Sequence, residues 1–167
     1  MTDISTPIFQ EMAIFHGGPI ASEVAQRLTD GKSPTASLSQ LASQEQLTEL
    51  INDTSKVSVF IIETAEDEAP AAEASAFAKL LIKRAKAGEA CLGEYVCIGA
   101  GDSSISAENM AYLSNQRPPE DCNPVARSVD MALTKIGKTR KYPMLYLDVA
   151  RDWEKALDVW RKKHLGI

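Results

Sequence analysis

Histidine and cysteine are scarce in this chain. His16 and His164 are its only histidines, which excludes a histidine-rich metal centre. The three cysteines, Cys91, Cys97 and Cys122, are odd in number and lack metal-ligand spacing. They read as free thiols in a reducing compartment, so the expected location is the cytoplasm. No apolar run is long enough to span a bilayer, and residues 1–10 lack the apolar stretch of a secretory leader. Positive charge is short as well: 18 Lys and Arg stand against 23 Asp and Glu, a net −5. That balance argues against a nucleic-acid or anionic-membrane surface and suits the docking of a basic protein partner. Repeats, low-complexity tracts and composition shifts are missing too. With 44% hydrophobic and 25% charged residues, the chain is expected to form a single domain over 1–167.

What is present is an alternation of strands and helices. The apolar run Tyr95-Val96-Cys97-Ile98 climbs into Gly99-Ala100-Gly101-Asp102-Ser103-Ser104. Such a strand ends in a loop whose backbone can approach a ligand, because glycine carries no β-carbon. Asp and two Ser then add polar groups at the strand's carboxyl end, where open α/β sheets bind ligands. Further strands are expected at 11–16, 56–63 and 142–149, with a short edge strand at 35–38. Helices are expected at 20–30, 44–52, 70–87, 123–136 and 151–164. Pro19 suits a first helical position, and Gly137 a C-terminal stop. Alternation of this kind implies an α/β three-layer sandwich with a five-stranded parallel sheet in the order 2-1-3-4-5.

The order and spacing of these segments resemble the flavodoxin family, and most closely the FMN-binding domain of diflavin reductases such as NADPH–cytochrome P450 reductase. The likeness runs from about Met12 to Gly166. It is carried by Ala21–Leu28, by Thr64, Pro70 and Phe77, by Gly99–Ser104, and by Lys135–Tyr142 through Trp153 to Trp160. The resemblance implies three loops that hold FMN and a role in passing electrons between proteins.

Each of the three loops departs from the family's pattern. The first, His16-Gly17-Gly18-Pro19-Ile20, has none of the hydroxyls that normally surround the flavin phosphate, and Pro19 deletes a backbone donor. His16 either adds a hydrogen bond there or is a polar residue at a strand end. In the second loop, Thr64-Ala65-Glu66-Asp67-Glu68-Ala69-Pro70, glutamates replace both glycines and Ala65 replaces the stacking aromatic. The acidic run opposes a phosphate dianion and a reduced flavin anion. Glu66, Asp67 and Glu68 read either as a solvated loop or as a docking patch for a basic partner. The third loop keeps its glycines and Asp102, but Ile105 stands where reductases have Tyr. Residues 106–121 look like an insertion that either brings Tyr112 over a pocket or fills it.

Ser103 and Ser104 lack a patterned His–acid pair and a nucleophile elbow, so no catalytic residue and no metal ligand are assigned. The expectation is a degenerate flavodoxin-like module that has lost FMN and serves as an interaction or scaffold domain, without catalysis of its own. The alternative is an FMN-dependent electron-transfer domain. In that case Gly17, Gly18 and Ile20 cradle the phosphate, while Thr64, Gly99, Gly101 and Asp102 contact the ring or ribityl chain.

Overall fold

The computed structural model describes residues 7–65, 68–104 and 119–167. Its centre is the strand β3, Val57–Glu63, whose residues are all buried. A run of β-branched and aromatic side chains with no exposed face belongs inside a parallel sheet covered on both sides. On one side of it lies β1 (Met12–Gly17), and beyond β1 the two-residue β2 (Ala36–Ser37). On the other lies β4 (Glu94–Gly101), and then the far edge. Every pairing in the sheet is parallel, and the order β2-β1-β3-β4-β5 is the expected one.

That far edge departs from expectation. Instead of one strand over 142–149 it holds two pieces, β5 (Thr139–Arg140) and β6 (Leu145–Asp148), and both pair with β4. Arg140 sits opposite Tyr95 and Leu145 opposite Ile98, so four residues of the edge span only two of β4. The surplus is pinned from three directions. Pro143 has no N–H for the ladder, and its carbonyl accepts a hydrogen bond from Trp160 Nε1 at 3.2 Å. Arg140 is held by Asp130 through Nε to Oδ1 at 2.8 Å, with a second contact from its Nη2. Buried Tyr95 completes the cluster by donating to Asp130 Oδ1 at 2.6 Å. Burial and the neighbouring carboxylate push the Tyr95 phenol up to about 12, so it stays a donor.

Six α-helices lie among the described residues: α1 (Pro7–Gln10), α2 (Pro19–Thr29), α3 (Gln44–Asn52), α4 (Ala72–Lys86), α5 (Pro124–Lys135) and α6 (Trp153–His164). The four-residue α1 is absent from the sequence pattern; its Phe9 is buried beside Met12. Alternation along β3 sends Val59 and Ile61 to one face and Phe60 and Ile62 to the other. The first face is covered by α2 through Ala21, Val24, Ala25 and Leu28, and by α6 through Leu157 and Trp160. The second is covered by α4 through Phe77 and Leu81, by α5 through Val129 and Leu133, and by α3. Each such large apolar side chain contributes about 1.5–3 kcal/mol when buried. Ion pairs from Arg27 to Asp158 at 2.7 Å and from Arg161 to Asp30 at 2.8 Å tie α2 to α6 at the surface.

Candidate functional site

The carboxyl ends of β1, β3 and β4 lie along one edge of the sheet, and the three expected ligand loops leave from there. At that edge the last residue of β3 and the residue after it point in opposite directions. Glu63 follows Ile61 onto the α2 face, and Thr64 follows Ile62 onto the α5 face.

Glu63 is only 8% exposed. Its Oε1 accepts hydrogen bonds from the backbone N–H of Ile20 at 2.7 Å and of Ala21 at 3.1 Å. These are orphan donors of the first turn of α2, where the aligned peptide dipoles favour an anion. Among the described residues, no cation forms an ion pair with Glu63. Burial raises its carboxyl above the ordinary value; the two N–H bonds oppose that shift, and Glu73 and Glu23 reinforce it. Any other anion at this helix start competes with Glu63 for the same two N–H groups. Gly18 makes the approach feasible. Its φ of 126° is open mainly to glycine, and a β-carbon there would lie 2.6 Å from Glu63 Cδ. Gly17 is crowded from the other face, where a β-carbon would meet Ala74 Cβ at 2.5 Å. His16 Nδ1 is buried without a hydrogen-bond partner.

Thr64 serves the opposite helix. Its Oγ1 accepts from the Val125 N–H at 3.4 Å in the first turn of α5, whose own start, Asn123-Pro124, has no side-chain cap. The second loop closes on itself: Thr64 bridges to Pro70, and the Ala65 N–H donates to the Ala69 carbonyl at 2.7 Å. Glu68 is exposed with φ 58°, the left-handed conformation for which glycine is the usual residue. Glu66 and Asp67, the rest of the acidic run, lie outside the described residues.

The third loop is likewise engaged with the chain itself. A β-carbon at Gly99 would meet Asn123 Oδ1 at 2.7 Å, and one at Gly101 would meet the Cys122 carbonyl oxygen at 2.0 Å. These two glycines thus admit the turn Pro119–Cys122 and the start of α5. Asp102 folds back to accept from the Ser104 N–H at 2.9 Å. Buried Asp148, at the end of β6, accepts from the N–H groups of Ser103 and Ala150, each at 3.0 Å, and pairs with Arg151 at 3.2 Å. Residues 105–118, with Ile105, Tyr112 and most of the expected insertion, lie outside the described residues.

Sequence reasoning missed Glu63, Asp148 and Asn123. For Glu63 a signal was there: a carboxylate closing a wholly apolar strand must find donors at that strand's end. Asp148 and Asn123 carry no comparable local signal. Asn123 is fully buried and donates to the carbonyls of Pro119 at 2.8 Å and Leu147 at 2.9 Å. Nucleophilic chemistry finds little support here. Burial pushes the Cys122 thiol up to about 12 and the Cys97 thiol well above its ordinary value, so neither supplies a thiolate. Among the described residues, no cluster of three His, Cys, Asp or Glu is arranged to hold a metal. No described helix is long and apolar enough to cross a membrane.

No family model matches the chain, and no curated protein matches it by sequence. Solved structures do. A cysteine-to-serine variant of Pseudomonas aeruginosa flavodoxin superposes with a TM-score of 0.57 at 15% identity, covering 91% of this chain and 94% of that one. The fold is flavodoxin-like. A short-chain flavodoxin associated with a non-canonical PDU bacterial microcompartment matches with a TM-score of 0.54 at 15% identity, over 93% of this chain and 95% of its own. A Streptococcus pneumoniae flavodoxin gives 0.52 at 13% identity, over 93% and 97%. The start of α2 directly follows residues 16–18 of the expected first ligand loop. Here that start is capped by Glu63.

Proposed function

We propose that this chain is a flavodoxin-like module that has given up FMN and works in the cytoplasm as a protein-interaction or scaffold domain, with no catalysis of its own. The observation that carries this reading is the Glu63 carboxylate on the Ile20 and Ala21 N–H groups. A phosphate dianion brought to the same turn would lose those donors and face a carboxylate at close range. The residues of the first loop therefore do not fit the phosphate of FMN. Glu68 in place of a loop glycine, Gly99 packed on the Asn123 and Ala126 side chains, and Gly101 packed on the Cys122 backbone weigh in the same direction. The three free thiols support the location. Kinship with the FMN domain of diflavin reductases in particular rests on the spacing of the loops, and Glu66, Asp67 and Glu68 remain its proposed patch for a basic partner.

The competing reading, an FMN-dependent electron carrier, is favoured by the likeness to flavodoxins and by the meeting of Gly17, Gly18, Ile20, Thr64 and Asp102 along one edge. The purified protein separates the two. It should be colourless after desalting and should leave the fluorescence of added FMN unquenched. A flavin spectrum that survives desalting would overturn the proposal. Glu63→Ser frees both N–H groups, so the variant should gain measurable binding of inorganic phosphate or FMN that the parent lacks.

A further inference from the structure

At the opposite end of the sheet, α4 and α5 run side by side and leave a groove of about 520 Å³ between them. Its floor is apolar: Ile82 and Ala85 from α4, Met131 and Ala132 from α5. Met131 is 67% exposed, one of few large apolar side chains left to water among the described residues. Lys86, Lys135 and Arg140 also line the groove, and no carboxylate does. The chain as a whole has net charge −5, so this local excess of cations runs against the rest of its surface. Helical spacing makes the lining continuous. Ser128, Met131 and Lys135 share one face of α5, and Ile82, Ala85 and Lys86 one face of α4. Lys86 and Lys135 occupy the last turns of their helices, where the carbonyl ends favour cations. That preference accounts for the charges but not for the exposed Met131 and half-buried Ile82 between them. Arg140 is kept in place by Asp130, while its side chain remains half exposed.

We infer that this groove docks an acidic amphipathic helix of a partner protein. Apolar anchors of that helix bed on Met131 and Ile82, and its carboxylates meet Lys86 and Lys135 at the rim. Two parallel helices with an open seam offer a third helix a ready groove, and methionine adapts to varied anchors. Complementary charge then sets the sign of the partner. The inference deepens the interaction-module reading and rests on it. It concerns the end of the sheet away from Glu63, so an FMN titration of the same samples tests that reading separately.

The test uses the full chain and a fluorescein-labelled amphipathic peptide with leucines on one face and glutamates on the other. A twin peptide with lysines in place of the glutamates is the control. Anisotropy should show saturable binding of the acidic peptide, weakened by salt, and little binding of the basic twin. The double variant Lys86→Glu, Lys135→Glu should lower the affinity about tenfold while the chain stays folded, with only the small drop in melting temperature that two reversed charges at helix C-termini bring. Binding should also shift the methyl resonances of Met131 and Ile82. The inference is overturned if the acidic peptide does not bind, if the basic twin binds equally, or if charge reversal leaves the affinity unchanged. It is overturned as well if sedimentation shows a dimer that the double variant abolishes, because a second copy would then be the occupant.

Discussion

The two ends of the central sheet treat their polar groups in opposite ways. At the carboxyl end, Glu63 caps α2, Thr64 caps α5, Asp148 gathers the third loop, and Gly99 and Gly101 each have other residues' atoms within 3 Å of where a β-carbon would be. On the α4–α5 face toward the other end, Met131 and the cations Lys86 and Lys135 are left to solvent, beside an Arg140 that Asp130 holds. Open α/β sheets bind ligands at the first of these regions, and the docking groove proposed above lies at the second. On the proposed reading, fold and function separate here because a cofactor cradle is made of unsatisfied donors and missing side chains. Once the chain supplies its own acceptors, the cradle becomes core.

The largest effect expected from this contrast is steric. Gly101→Ala drives a β-carbon toward the Cys122 carbonyl and should cost about 3 kcal/mol of stability in a denaturant melt. Met131→Ala in the groove should stay within about 0.5 kcal/mol. Equal costs would break the comparison.

A smaller effect concerns pH. Burial holds the Glu63 carboxyl above its ordinary 4.5, so the folded protein keeps this proton after the unfolded chain has lost it. The stability this group supplies is therefore full below about pH 4.5. It falls as pH rises through the folded value and is level above it. Glu63→Gln removes the titration while its amide oxygen still serves the two N–H groups. The stability–pH profile of the variant should flatten in that window, and an unchanged slope would place the carboxylate elsewhere. Smallest is Glu68→Gly, which relieves a left-handed backbone at an exposed position and should stabilise by about 0.5 kcal/mol. A loss of stability instead would mean that the Glu68 side chain holds the second loop together.

Much of the fold was legible in advance, and some of it to the residue. The helix over 44–52 falls where expected, because Ser43 caps it locally by accepting from the Gln46 N–H at 3.2 Å. The far edge of the sheet was not legible in that way. Its division into β5 and β6 depends on Asp130 reaching Arg140 and on Trp160 reaching the Pro143 carbonyl, contacts made between separate elements. Of the candidate site, the glycines and Thr64 could be located from spacing, but their neighbours could not.

By itself, the sequence determined the alternation of strand and helix, the strand order and the three loops at one edge. Periodicity, glycine and proline act over a few residues, and they suffice for that. Only the tertiary structure decided that Glu63 reaches the first turn of α2, 43 positions earlier in the chain, and Thr64 the first turn of α5, 61 positions later. A side chain's choice of hydrogen-bond partner belongs to the packed arrangement of elements, and the same residues read in a line leave that choice open.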